Sequence, residues 1–347
     1  MVILYFILLI LILYPMGGQY TRFRHDYLSL KSTNAIKGIF AVLILYSHLS
    51  SYLNLSTNPF DTRFIDVNSY IAQLMVAPFL FYSGYGIMLS VTKKPNYVGT
   101  FFKNRILKIL VHFDIAVLCF ILLQLCLGKV YSRGEYILSW IGWFSVGNSN
   151  WFIFDILALY TISWIVLLCH THVKRIGHHS IVFFNLLMVV ILWLALYRLK
   201  PGMHWWIDTL LTYPFGMLYA LHKDAIDKKL HDGKAYFFTL TCLVAFFVVW
   251  HYSLWVDQYG FCSCIFCVLI TVLTMRFRFD NKVLQWLGTY AFAIYIMQRW
   301  PMLIFVHYGL NANIPLFVCL SIPSAVVVAY IFQSLLNKLD QRFFVKK

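Results

Sequence analysis

Apolar residues along the chain fall into long runs separated by short polar gaps. The runs lie at about 2–16, 35–53, 70–92, 106–127, 151–169, 180–197, 206–222, 235–254, 259–275, 285–307 and 314–336. Each approaches the ~20 residues that a helix needs to cross the hydrocarbon of a bilayer. The pattern predicts eleven transmembrane helices. A further stretch, 135–146, carries Trp140, Trp143 and Phe144 but is too short to cross, and is predicted to lie at the interface or to re-enter.

Composition agrees with lipid as the main solvent. Of the 347 residues 61% are hydrophobic and only 12% charged, with a mean hydropathy of +0.74, which excludes a water-soluble domain. A net charge of +15 would suggest nucleic acid in a soluble protein. Here the basic residues sit in alternate gaps, 20 of the 28 Lys and Arg in one set and five in the other. That asymmetry reports topology and calls for no nucleic-acid partner: the N-terminus is expected outside and the C-terminus in the cytosol. The first run has no basic segment before it and no small-x-small site after it, so it is read as an uncleaved helix. The whole of 1–347 is expected to form a single all-α polytopic membrane domain. The eight cysteines lie almost all in apolar stretches; Cys262, Cys264 and Cys267 lack a fourth ligand nearby, and no metal is expected.

Ionisable groups within a bilayer cost at least a few kcal/mol each, so each is a candidate for function. The second run has Lys37 at its expected cytosolic end and His48 deep within it. Eleven residues make three helical turns to within about 20°, so both side chains share one face, about 16 Å apart along the axis. The third run contains Ser83, Gly84 and Gly86, small residues that let another helix approach. Lys103, Arg105 and Lys108 surround the expected cytosolic start of the fourth, where free backbone donors and cations suit a phosphate. Asp155 lies one turn inside the fifth at a depth near that of His48, placed to orient an imidazole. Asp114 and Asp208 are rival acids at poorer depths, and His112 beside Asp114 has no evident role. His170, His172, His178 and His179 resemble a solvated loop. Trp205, Trp206, Trp250 and Trp255, with His204, read as an interfacial belt, or alternatively as a platform for stacking sugars.

These motifs, in order, resemble those of the acyltransferase 3 family of integral membrane acyltransferases. The family's basic residue, ten intervening residues and histidine match Lys37 to His48. Its phenylalanine-rich segment ending in Ser-Gly-aromatic matches Phe79, Phe81, Ser83, Gly84 and Tyr85, and its basic helix start matches Asn104, Arg105 and Lys108. Trp151 to Tyr160, 214–220 and 287–298 match later segments. Asn104 and Lys108 replace usual arginines, and Gln298 stands where a histidine is common. The resemblance covers about 30–336, a ten-helix core with the first helix as an extra.

The resemblance implies transfer of an acyl group, usually acetyl from acetyl-CoA, to a hydroxyl of a cell-surface polysaccharide or lipid-linked saccharide at a bacterial cell membrane. Lys37, Arg105, Lys108 and Lys103 would then meet the phosphates of the acyl-CoA, and His48 would act as general base with Asp155 or another acid orienting it. Tyr160, Ser83, Asn150 or Gln298 would supply the oxyanion donor. A covalent acyl-histidine relay, a polytopic transporter or flippase of lipid-linked saccharide with His48 as proton relay, and a structural envelope subunit are the competing readings. Membrane lipid is an expected partner, and a homo-oligomer is compatible with the sequence.

Overall fold

The computed structural model describes residues 1–14, 22–56, 58–172, 177–252, 259–279 and 281–344; Trp255 lies outside them. Sixteen α-helices follow one another among these residues: α1 (Val2–Leu13), α2 (Leu30–Ser50), α3 (Pro59–Ile71), α4 (Ala77–Lys93), α5 (Tyr97–Phe101), α6 (Lys108–Cys126), α7 (Arg133–Ser139), α8 (Trp151–His172), α9 (His178–Leu199), α10 (Thr212–Leu230), α11 (Gly233–Tyr252), α12 (Tyr259–Thr274), α13 (Lys282–Thr289), α14 (Ala291–Met297), α15 (Arg299–His307) and α16 (Ile314–Phe343). A π-helical segment, Phe102–Leu107, joins α5 to α6.

Among the described residues each of the eleven apolar runs falls largely on helix, although 207–211 form turns before α10. Six helical stretches are long and apolar enough to cross a membrane: Gln73–Lys93, Tyr97–Cys126, Trp151–His172, His178–Leu199, Gly233–His251 and Ile314–Phe343, with Val2–Leu13 and Tyr259–Thr274 shorter but apolar. The remaining runs fall below that measure for physical reasons. α2 carries Lys37, His48 and several hydroxyls, and α10 ends in a charged turn. The run at 285–307 is divided into α13, α14 and α15 at Tyr290 and Gln298. The segment at 135–146 is only a short helix, α7, held by a capping box in which Ser132 and Glu135 satisfy each other's backbone N–H, followed by turns. α3, between α2 and α4, was not foreseen from the pattern of apolar runs.

Two helix pairs approach to backbone contact. A Cβ on Gly38 of α2 would lie 1.9 Å from the Leu284 carbonyl oxygen of α13, and one on Gly288 of α13 would lie 1.8 Å from that of Asn34. Likewise a Cβ on Gly84 of α4 would meet the Tyr213 oxygen at 2.0 Å, and one on Gly216 of α10 the Phe81 oxygen at 2.0 Å. In lipid, where apolar side chains gain little by leaving one apolar solvent for another, such small-residue contacts supply the dispersion energy that joins helices. Gly86, the other glycine of the α4 motif, has open space at its Cβ position. α13 begins at Asn281, whose side chain accepts from the N–H groups of Val283 and Leu284 at 2.8 and 3.3 Å.

Candidate active site

The clamped pair α2 and α13, together with α4, α6, α8 and α14, lines a cavity of about 420 Å³. Its α2 wall is a stripe of residues at heptad-like spacing: Leu30, Asn34, Lys37, Ala41 and Ile44. His48 continues the stripe one turn beyond Ile44. Val76 comes from the turn just before α4, and Phe79 and Ser83 from α4 itself; α8 supplies Phe152, Ile156 and Tyr160, and α13 and α14 supply Thr289, Phe292 and Tyr295. Three residues expected from sequence, Lys37, Ser83 and Tyr160, therefore share one cavity. At the Lys37 end polar groups predominate, with Asn34 and Thr289 linked by a 3.3 Å hydrogen bond. At the other end Phe79, Phe152 and Tyr295 close ranks, with ring centroids 6.2 Å apart for the first pair and 5.3 Å for the second.

Just past that aromatic closure lies His48, half-buried, its ring centroid 6.1 Å from that of Tyr295. Its Nδ1 is 2.7 Å from Nε2 of Gln298 and 3.4 Å from Oγ of Ser149. The Gln298 amide nitrogen also donates to the Tyr295 carbonyl at 3.1 Å. Reversing the amide would set its oxygen against that carbonyl oxygen, so the nitrogen belongs where it stands and donates to Nδ1. The neutral ring then keeps its lone pair on Nδ1 and its proton on Nε2. The adjacent Arg299 brings a guanidinium into electrostatic reach of the ring.

Ser149 arrives on the loop before α8, and its position is over-determined. Gly147 adopts φ 101°, where a side chain is strained, and a Cβ there would lie 2.3 Å from Nε2 of Gln124 and 3.0 Å from Leu303. Gln124 in turn donates to the Val146 carbonyl at 3.2 Å, and the Asn148 side chain accepts from the Val146 N–H at 3.1 Å. Asn150, an expected oxyanion donor, is committed elsewhere: its amide donates to the Gly142 carbonyl at 2.7 Å.

Asp155 makes no hydrogen bond to His48. It is fully buried in α8, and neither carboxylate oxygen has a partner among the described residues. The group on the imidazole is the Gln298 amide instead, delivered by the break between α14 and α15. Asp208 lies in the loop between α9 and α10, where its backbone carbonyl accepts from Ser263 of α12 at 3.1 Å.

The basic cluster divides. Arg105 sits in the π-helical segment, its Nε donating to the Tyr97 hydroxyl at 3.3 Å, within electrostatic reach of Lys37 and Tyr160. Lys108 points elsewhere, into an ion pair of 2.6 Å with Asp340 of α16, whose other oxygen is 2.7 Å from Nε2 of His112. The wider π turn changes the angular offset between Arg105 and Lys108, so three residues of spacing no longer put both on one face. Lys103 is exposed, its Nζ 5.9 Å above the Phe344 ring. Trp206 is closed to stacking, being buried against Trp143 and Phe154 with Lys200 over its face at 4.5 Å. Cys262, Cys264 and Cys267 are buried in α12, and no group of three metal-ligating side chains converges among the described residues.

A family model described as an acyltransferase domain, acyltransferase 3, matches residues 30–333. The chain belongs to the acyltransferase 3 family. The match begins with α2 and runs into α16, so every residue of the cavity and of the His48 cluster falls inside it, while α1 lies outside. No match is found among curated proteins or among solved structures. Sequence reasoning missed Ser149, Phe152 and Tyr295. The turn-forming Gly147-Asn148 step just before the expected start of α8 is a local signal that could have found the first.

Proposed function

We propose that this acyltransferase is a membrane O-acetyltransferase of the bacterial cytoplasmic membrane, moving an acetyl group from cytosolic acetyl-CoA to a hydroxyl of a cell-surface polysaccharide or lipid-linked saccharide. The observation that carries the reading is the α2 stripe, on which a cation, a cavity and an imidazole follow one another along a single helix face. Lys37 and Arg105 mark the donor entrance, where guanidinium and ammonium meet phosphates. The slender arm of the donor fits the cavity, lying along Ala41 and Ile44. His48 waits past the aromatic closure as general base for the hydroxyl that attacks the thioester, its Nδ1 lone pair being the accepting site.

The positive-inside asymmetry supports eleven crossings with the N-terminus outside, which puts Lys37 on the cytosolic side and His48 toward the acceptor. Lys103 and Lys108 play no part at the donor entrance in this reading, since one faces solvent and the other is paired.

The test is acetyl transfer by purified protein in vesicles supplied with labelled acetyl-CoA and candidate envelope glycans. The expected result is a labelled glycan with wild-type protein and none with His48→Ala, while glycan still reaches the far leaflet. Loss of glycan translocation with acetylation intact would overturn the reading in favour of a transporter, and absence of transfer from any short acyl-CoA would end it.

A further inference from the structure

Resting on the acetyltransferase reading, we infer that the hydroxyl first activated by His48 is that of Ser149, and that the acetyl group is carried on Ser149 before it reaches the acceptor. The hydrogen-bond arrangement around the imidazole leads there. Nδ1 holds the lone pair, because the donor on it, the Gln298 amide nitrogen, is fixed in orientation by the Tyr295 carbonyl. The hydroxyl next to Nδ1, at 3.4 Å, is that of Ser149, which takes over the lone pair when the Gln298 N–H moves off it. Ser149 is buried, 4% exposed, on a loop whose backbone is pinned by Gly147, Gln124 and Asn148. A serine so placed has the nucleophile–base relation of acyl-enzyme catalysis, and such contacts are commonly long before substrate binds.

The step balances. As Ser149 Oγ attacks the thioester carbonyl carbon, its proton passes to Nδ1, which exchanges the Gln298 N–H for the serine O–H. The carbon–sulfur bond then breaks and the CoA thiolate takes the proton from Nδ1, leaving acetyl-Ser149 and free CoA thiol. In the second half the acceptor hydroxyl gives its proton to Nδ1 and attacks the ester carbonyl, and the departing Ser149 oxygen recovers the proton. A carried acetyl group also resolves the problem of access. Donor and acceptor, approaching from opposite ends, need not be present at His48 together.

The experiment is incubation of the purified full chain with radiolabelled acetyl-CoA without acceptor, reading protein-bound label, its position by peptide mass spectrometry, and released CoA thiol. Wild type is expected to release one burst equivalent of thiol and to carry the label on Ser149. Ser149→Cys should carry it as a thioester cleaved by neutral hydroxylamine, which confirms that the site folds and receives the group. Ser149→Ala should bind donor but lose labelling and lose acceptor acetylation by at least ~10²-fold. Glycan acetylation by Ser149→Ala at the wild-type rate overturns the inference and leaves the acetyltransferase reading standing, as does label found on His48. Absence of both thiol release and glycan acetylation in the wild type overturns the acetyltransferase reading itself.

Discussion

The Gln298 amide nitrogen lies 2.7 Å from Nδ1 of His48 across 250 residues of sequence. It occupies the side of the ring that an acid holds in a serine-hydrolase triad, but it donates where the acid would accept. The imidazole is thereby held with Nδ1 as its basic atom. Replacing Gln298 by Glu should reverse this: the carboxylate accepts from Nδ1–H and stabilises the imidazolium. The base form is then lost at higher pH, so the acid limb of the pH–rate profile moves up. Gln298→Met, of similar length without the hydrogen bond, should lower kcat by about 10-fold or more, from the ~1–3 kcal/mol attached to an orphaned buried polar group, without moving that limb. Profiles of acetyl transfer for the two variants check both. Equal profiles would show that Gln298 only packs.

Ala41 is the smallest side chain on the α2 face of the cavity and is almost fully buried. Ala41→Phe should place a ring across the path assigned to the donor arm. Acetyl transfer is expected to fall at least ~10-fold while thermal stability drops by only the ~1–3 kcal/mol typical of overpacking. Measuring both separates a blocked passage from a damaged fold.

Arg105 and Lys108 should behave differently although only three positions apart. Arg105→Ala is expected to raise KM for acetyl-CoA with little change in Tm. Lys108→Ala is expected to lower Tm with KM unchanged, because it leaves Asp340 facing only His112. The Lys108 ammonium is about one-third exposed, so a loss of ~1–2 kcal/mol is appropriate, below the range for fully buried pairs. A raised KM in the Lys108 variant would return that residue to the donor entrance.

Burial pushes the Asp208 carboxyl up to about 7. A carboxyl with a raised folded value holds its proton more tightly folded than unfolded. Its favourable contribution is complete below the unfolded value of about 4 and lost as pH rises toward 7. Asp208→Asn should therefore raise Tm at about pH 8 and change it little at about pH 4. Equal shifts at the two pH values would mean that burial of the charge is not what the substitution relieves.

The readable parts of this protein are those written within one helix. Lys37 and His48 stand out because ions are rare in apolar runs, and helical geometry alone puts them on one face. Ser83 and Tyr160 follow from motifs lying on single helices. What stayed hidden depends on tertiary closure. Ser149 reaches His48 from 101 positions away through a loop bent at Gly147, and Gln298 reaches it because a helix breaks in the right place. The local register also misled at Lys108, where ordinary helical spacing gives way to a π turn, and at Asp155, whose matching depth did not bring it into hydrogen-bonding contact with the ring. α3 was invisible because its mixed composition resembles a loop.

The backbone contacts at Gly38–Leu284 and Gly84–Tyr213 act as rivets: neither α2 against α13 nor α4 against α10 can slide without tearing a seam with no side chains to cushion it. The first of these seams holds together the α2 and α13 walls of the cavity, and the second fixes α4, which supplies Phe79 and Ser83. Tyr295, at the end of the cavity next to His48, is carried instead by α14, a short helix set off by breaks at Tyr290 and Gln298. Because Gln298 is tied to the Tyr295 carbonyl, a shift of α14 would carry the aromatic ring and the partner of His48 as one body.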